Sequence, residues 1–158
     1  MNTKQAGTNF IAPTVSLKQP TFRSYLALAR FDHMTKHVFI IPGFVLAHIV
    51  AHGPVTSPIP SIIIGLASAT LIAAANYVLN EWLDRSFDAF HPVKSKRAAV
   101  TCALSPRWVY TEYVLLTLTG LSLAYVIGGS FFVAAIAFVL SGVVYNVEPV
   151  RMKDKAYL

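Results

Sequence analysis

The stretch VTSPIPSIIIGLASATLIAAANYVLN, residues 55–80, contains no Asp, Glu, Lys or Arg over about 26 residues. About 20 consecutive apolar residues are enough for a helix to cross the hydrocarbon core of a bilayer. A helix in a soluble bundle would instead carry a polar face at helical spacing, and residues 59–75 show none. The stretch therefore predicts a transmembrane helix and places the chain among the all-α membrane proteins.

The same character recurs along the 158-residue chain, which is 55% hydrophobic and only 13% charged, with a mean hydropathy of +0.57. We predict about four spans, at residues 36–52, 59–80, 105–127 and 131–145. Ser105 followed by Pro106 predicts the start of the third span, because Ser is a favoured N-cap and Pro is favoured at the first helical position. The predicted fold class is an all-α polytopic membrane protein.

The basic residues lie on one predicted side of the membrane. All 13 Lys and Arg residues precede or open the first span, fall between the second and third, or follow the fourth. The positive-inside rule therefore predicts an integral protein of a bacterial cytoplasmic membrane, with both termini and the 80–105 loop in the cytoplasm. Residues 1–24 predict a flexible cytoplasmic arm, ahead of a transmembrane domain at residues 25–158. Because topology accounts for the net charge of +6, we expect no nucleic-acid partner.

Charge is concentrated in NEWLDRSFDAFHPVKSKR, residues 80–97. Asn80, Asp84 and Asp88 have i, i+4, i+8 spacing, which places them on one ridge of a helix, and Glu81 lies beside them. Mg²⁺ favours such oxygen ligands, supplemented by water and substrate phosphates. These four residues are therefore a candidate magnesium site.

Cations follow the acids. Lys94 and Arg97 lie about two turns beyond the ridge, where a diphosphate could bridge them to a metal ion, since Lys and Arg are common phosphate ligands. An ordinary cytoplasmic loop, in which acids and bases pair with one another, would have the same composition, and such surface pairs are common. The spacing leaves both interpretations open.

The order of the residues is more specific. N-E-x-x-D-x-x-x-D-x-x-H-P-x-K-x-x-R, residues 80–97, resembles the first Asp-rich motif of the UbiA superfamily of intramembrane prenyltransferases. Its H-P-x-K-x-x-R tail looks most like the branch of polyprenyl-phosphate (decaprenyl-phosphate) phosphoribosyltransferases. RFDHMTKHVFIIPGF, residues 30–44, resembles the first-helix pattern of that branch, and YNVEPVRMKDKAYL, residues 145–158, resembles the loop after its fourth helix.

The resemblance implies half of a nine-helix bundle with a cavity open to the membrane. It implies Mg²⁺-dependent transfer of a prenyl or phosphoribosyl group from a diphosphate donor to a lipid-soluble acceptor; the branch implies phosphoribosyl pyrophosphate and a polyprenyl phosphate. Carried over by position, Asp84 and Asp88 would be the catalytic residues that hold magnesium diphosphate, together with Asn80. Phosphate binding or cavity lining would fall to Lys36, Lys94, Arg97, Tyr145 and Lys153.

The sequence also departs from the family pattern. Glu81 stands where the family usually has Asp, and the family's second Asp-rich motif has no counterpart before Leu158. We therefore expect a missing C-terminal half or a protein partner to complete the enzyme. The alternative is a non-catalytic transmembrane subunit of a larger membrane complex that keeps the motif from its ancestry.

Glu112 is an acid within the third predicted span. An ionisable residue inside a span is a functional candidate by default. Near the cytoplasmic end it could instead pair with Arg107 or Arg85, and the sequence leaves both interpretations open.

Overall fold

A computed structural model of the protein describes residues 17–32, 42 and 58–155. The first predicted span, residues 36–52, lies outside the described residues except for Pro42, and Lys36 lies outside them as well. The described chain is helical and contains no β-sheet. Its helices are α1 (Phe22–Leu26), α2 (Pro58–Asp88), α3 (Ala98–Thr101), α4 (Pro106–Ile127), α5 (Gly129–Asn146) and α6 (Met152–Lys155), with a 3₁₀ turn at Lys94–Lys96.

Three of these helices, α2, α4 and α5, are long and apolar enough to cross a membrane. They coincide with the second, third and fourth predicted spans, so the prediction of an all-α membrane protein is confirmed. The start of α4 at Pro106, with Ser105 as its N-cap residue, is also confirmed. The predicted span ends at Asn80, but α2 itself continues to Asp88, as the helical spacing of Asn80, Asp84 and Asp88 predicted. Trp82, buried in the core, packs this extension onto the rest of the fold.

The three long helices approach one another closely at small residues. Ser68 on α2 donates a hydrogen bond from Oγ to the Gly120 carbonyl oxygen on α4 across 2.8 Å. A Cβ atom on Gly120 would lie 2.7 Å from Ile72 Cγ1, and one on Gly142 of α5 would overlap the side chain of Asn76. Small interface residues and interhelical hydrogen bonds are how helices associate in lipid, where no hydrophobic driving force acts between them.

A single residue, Gly128, connects α4 to α5. Its φ of +143° is readily adopted only by glycine, and it folds the two helices into an antiparallel hairpin. The C-terminal ends of α2 and α5 therefore lie at the same end of the helix bundle, together with the start of α4. The residues after Asp88 and after Asn146 meet at this end.

The described part of the predicted N-terminal arm contacts the segment before α4. The Lys18 N–H donates to the Thr101 carbonyl across 2.9 Å, and the Ala103 N–H donates to the Lys18 carbonyl across 3.0 Å. The Ser105 N–H donates to the Tyr25 hydroxyl across 3.1 Å. Residues 17–24 are thus folded onto the 98–105 segment, while residues 1–16 lie outside the described residues.

Candidate functional site

A cavity of about 960 Å³ opens between α2 and α5 at the end of the bundle where these helices terminate. Its mouth is polar, and its inner wall includes Ala73, Tyr77 and Phe138. The charged and amide side chains of the mouth are Asn80, Asp84, Asp88, Lys94, Asn146, Arg151 and Lys153. Most of the site residues predicted from the sequence therefore share one cavity.

The ridge on α2 turns slowly around the helix. Four residues of an α-helix rotate by about 400°, so each i, i+4 step shifts the side chain by about 40°. The ridge begins one turn deeper than predicted, at Asn76, whose side-chain amide faces α5 and donates to the Phe138 carbonyl across 3.5 Å. Asp84 faces the segment after α5, and Asp88 faces the segment after α2 itself. The two carboxylates consequently receive different partners.

Asp84 is bound by two cations from the segment that follows α5. Its Oδ1 atom accepts from Lys153 Nζ across 2.5 Å and from Arg151 Nη2 across 3.1 Å. Arg151 has a φ of +28°, which is uncommon for a residue with a side chain; its guanidinium also lies 4.9 Å from the centre of the Phe87 ring. Arg151 and Lys153, which follow Asp84 by 67 and 69 positions in the chain, thus meet at one carboxylate.

Asp88 is bound by two cations from the segment after α2. Arg97 Nη1 donates to Asp88 Oδ2 across 2.7 Å, and Lys94 Nζ lies 3.6 Å from Asp88 Oδ1. The local fold brings them there: His91 Nδ1 accepts the backbone N–H groups of Val93 and Lys94 at 3.2 and 3.3 Å, which holds the 3₁₀ turn in place. The hydrogen bonds between the His91 side chain and the backbone thus turn the chain back towards the C-terminal end of α2.

Positive charge exceeds negative charge in this cluster. Four cations contact two carboxylates, so the six side chains carry a surplus of two positive charges. Glu148, which lies 3.6 Å from Arg151, is exposed over 80% of its side chain and is poorly placed to offset it. A cavity mouth of this sign attracts anions.

Of the remaining predicted site residues that the structure describes, Glu81 and Arg97 do not line the cavity, whereas Tyr145 does. Glu81 is buried and does not line the cavity; it accepts a hydrogen bond from the Ala99 N–H, with Arg97 and Arg30 nearby. One residue along a helix rotates the side chain by about 100°, which turns Glu81 away from Asn80 and towards α3. Tyr145, on the last turn of α5, lies on the cavity wall and is half exposed.

Two residues of the mouth were missed from the sequence. Asn146 is buried, at 3% exposure, and its Oδ1 accepts from Lys153 Nζ across 3.2 Å. Arg151 was counted only as a topology-determining cation. The available signals were weak: Asn146 is a polar residue at the end of an apolar run, and Arg151 lies two positions before Lys153.

The donor set fits a hard divalent cation. Oxygens of Asn80, Asp84 and Asn146 converge on one positively charged nitrogen, Lys153 Nζ, and these are the ligand types that Mg²⁺ takes alongside water and phosphate. Among residues 17–32 and 58–155, however, no three His, Cys, Asp or Glu side chains cluster closely enough to hold a metal by themselves. Amide oxygens and substrate phosphates would have to complete the coordination.

A second cavity, of about 750 Å³, lies between α1 and α4 and is lined mainly by apolar side chains such as Phe22, Leu26 and Trp108. Glu112 also lines it, and both of its carboxylate oxygens are buried without a hydrogen-bond partner in the described part of the chain. Pairing of Glu112 with Arg107 or Arg85, one of the two interpretations that the sequence left open, does not occur in the described structure; Arg85 instead donates to the Trp82 carbonyl across 2.6 Å.

Comparison with known proteins gave one match. The family model described as the UbiA prenyltransferase family matches residues 39–158. The match covers α2 to α6 and every described residue of the cavity mouth. No curated protein and no solved structure shows a significant match to the chain.

Proposed function

The chain belongs to the UbiA prenyltransferase family, and on that premise we propose that it binds the diphosphate end of an activated donor with Mg²⁺ at the α2–α5 cavity mouth. There it takes part in transferring the prenyl or phosphoribosyl group of the donor to a lipid-soluble acceptor. The H-P-x-K-x-x-R tail, which ends at Arg97, favours phosphoribosyl pyrophosphate as donor and a polyprenyl phosphate as acceptor.

The observation that carries this proposal is the pair of carboxylates that each contact two cations, Asp84 with Arg151 and Lys153, and Asp88 with Lys94 and Arg97. In an ordinary surface salt bridge, one acid pairs with one cation. Here three of the four cations, Lys94, Arg151 and Lys153, line one cavity with both carboxylates, and they come from two segments, one after α2 and one after α5. A diphosphate with its metal ion would match both signs of charge.

The residues divide into two roles. Asn80, Asp84 and Asp88 would hold the metal ion, and the cations would bind the phosphate oxygens, Arg through paired N–H groups and Lys as a point charge. Magnesium, when bound, supplies Lewis-acid neutralisation of the charge that develops on the departing diphosphate. Glu81, turned towards α3, would position the motif, and Lys36 stays a prediction.

The inner cavity suits an acceptor that arrives from the bilayer. Tyr77, Phe138 and Tyr145 provide aromatic surface beyond the charged mouth, and Ala73 leaves room between them. A polyprenyl chain could lie along this wall with its polar head at the mouth.

Calorimetric titration of the detergent-solubilised chain with phosphoribosyl pyrophosphate, with and without Mg²⁺, tests the proposal. Binding should require Mg²⁺, and Lys94→Gln should weaken it by about ten- to a hundredfold, the value of one charge-assisted hydrogen bond. The matched control is Lys96→Gln, in the same 3₁₀ turn but not on the cavity wall. Metal-independent binding, or equal loss in both variants, would contradict the proposal. Farnesyl diphosphate in the same titration separates the two donor classes.

One observation favours a second candidate, a non-catalytic transmembrane subunit. The carboxylates are already paired with side chains of the protein, and the described residues offer no three-acid metal cluster. This candidate predicts no Mg²⁺-dependent donor binding and constant stoichiometry with a partner after purification from the native membrane. The same titration therefore decides between the two.

A further inference from the structure

Lys153 has an unusual environment for a lysine at a membrane-protein surface. Its side chain is only 10% exposed, although ammonium groups ordinarily extend into water. Nζ lies 2.5 Å from Asp84 Oδ1, 3.3 Å from Asn80 Oδ1 and 3.2 Å from Asn146 Oδ1. An ammonium group has three N–H donors and no acceptor, so these three oxygens satisfy it completely.

The three oxygens are carried by two long helices. Asn80 and Asp84 are adjacent members of the ridge on α2. Asn146 is the last residue of α5, and its Nδ2 donates to the Gly142 carbonyl across 2.8 Å, which fixes its Oδ1 towards Lys153. Two rigid helices thus present a three-oxygen site, whereas the cation comes from the four-residue helix α6.

We propose that Lys153 is a tethered counter-cation, which occupies the position that a divalent metal ion takes beside Asn80 and Asp84 when the donor binds, with Asn146 as an additional protein oxygen of that metal site. That the ligand accompanying the metal ion is the diphosphate of a donor rests on the proposed function. A divalent ion entering the three oxygens displaces the ammonium group, because both would occupy the same position. The displaced Lys153, beside Arg151 at the mouth, becomes available to the phosphate oxygens that accompany the metal ion.

The exchange links metal binding to movement of α6. Before binding, Lys153 ties the segment after α5 to α2, and Arg151 does so through the same carboxylate oxygen. Insertion of the metal ion releases the Lys153 bond only, so α6 can shift while Arg151 continues to face Asp84. Metal binding therefore frees one positive group, the Lys153 ammonium, for the substrate.

Mn²⁺ titration of the full chain in lipid nanodiscs, followed by the paramagnetic resonance of free Mn²⁺, tests the proposal without turnover. Lys153→Met should tighten Mn²⁺ binding by roughly tenfold or more, because a competing unit charge within a few ångströms is removed. The control Lys96→Met should leave it unchanged. Adding Asn146→Leu to Lys153→Met should abolish the gain. Unchanged or weaker Mn²⁺ binding in Lys153→Met would overturn the proposal.

A second measurement needs no substitution at the site. The rate at which an amine-reactive ester modifies Lys153, measured by peptide mass spectrometry, should rise several-fold on addition of Mn²⁺, while the rate at Lys96 stays constant. An unchanged rate at Lys153 would overturn the exchange. If Lys153→Met binds Mn²⁺ more tightly but no diphosphate binds to the protein, only the proposed function fails. If diphosphate binds in the presence of Mg²⁺ but Lys153→Met does not tighten Mn²⁺ binding, only the exchange fails.

Discussion

Arg97 donates a hydrogen bond from Nη1 to Asp88 Oδ2 across 2.7 Å, joining the N-cap residue of α3 to the last residue of α2. The eight residues between them form a closed loop that carries His91 and the 3₁₀ turn. The Asp88 side chain is only 5% exposed, so this pair is shielded from water to a degree that surface pairs are not. The bond gives the loop one fixed conformation at the cavity mouth.

This pair can be measured by a double-mutant cycle. Asp88→Asn and Arg97→Gln should each destabilise the chain, and their combination should cost less than the sum, with a coupling free energy of about 1–3 kcal/mol for a shielded charge-assisted hydrogen bond. Unfolding in detergent with increasing dodecyl sulfate provides the free energies. Additive effects would mean that the two side chains do not interact in the membrane-embedded protein.

The close approach of α2 and α4 at Gly120 can be tested by adding one methyl group. Gly120→Ala places a Cβ atom 2.7 Å from Ile72 Cγ1 and 3.2 Å from the Ser68 carbonyl oxygen, so we expect a loss of roughly 1–3 kcal/mol of stability from overpacking. Gly129→Ala is the control, because a Cβ atom there meets nothing within 4 Å. Equal stability of the two variants would show that the helices can separate without cost.

Glu112 buries two carboxylate oxygens without a hydrogen-bond partner in the described structure. Burial of an unpartnered polar group costs free energy, so Glu112→Leu should raise the thermal unfolding temperature of the detergent-solubilised chain, with a gain of roughly 1 kcal/mol or more. Glu148→Leu, at a residue with an 80% exposed side chain, should change stability by less than about 0.5 kcal/mol. A lower unfolding temperature for Glu112→Leu would indicate that the carboxylate makes a stabilising contact in the native membrane.

The orientation predicted from the basic residues can be measured with the single cysteine. Cys102 lies at the end of the bundle that carries the cavity mouth, and positive-inside topology puts this end in the cytoplasm. A membrane-impermeant maleimide should label Cys102 in inverted vesicles and leave it unlabelled in intact spheroplasts. In a Cys102→Ser background, Gly129→Cys, at the opposite end of the α4–α5 hairpin, should give the reverse pattern; the same sidedness for both would refute the topology.

Hydropathy predicted the described spans because it depends on local composition alone. Ser105 and Pro106 predicted the start of α4 to the residue, since the preference of Pro for the first turn of a helix is also a local property. Charged residues marked the end of the apolar span at Asn80, and the i, i+4, i+8 spacing predicted that the helix continues through them, which it does as far as Asp88. A membrane boundary and a helix boundary are set by different forces.

The site was predictable only in part. Helical spacing placed Asn80, Asp84 and Asp88 together, and the structure brings Lys94 and Lys153 to them. No spacing rule could assign one carboxylate to each flanking segment, because that depends on the gradual rotation of the ridge and on where the segment after α5 returns. Asn146 was missed for the same reason: its role arises from the tertiary contact with Lys153.

The 31 residues of α2 extend for about 46 Å at 1.5 Å per residue, well beyond the roughly 30 Å of a hydrocarbon core. The acidic ridge is therefore built on the same rigid rod that crosses the lipid. The number of residues in α2 fixes both the height of the ridge above the bilayer and the direction in which it faces around the helix axis. One residue inserted between Ser68 and Asn80 would turn the ridge by about 100° and direct it away from α5. The position of the acidic site therefore depends on the number of residues along α2.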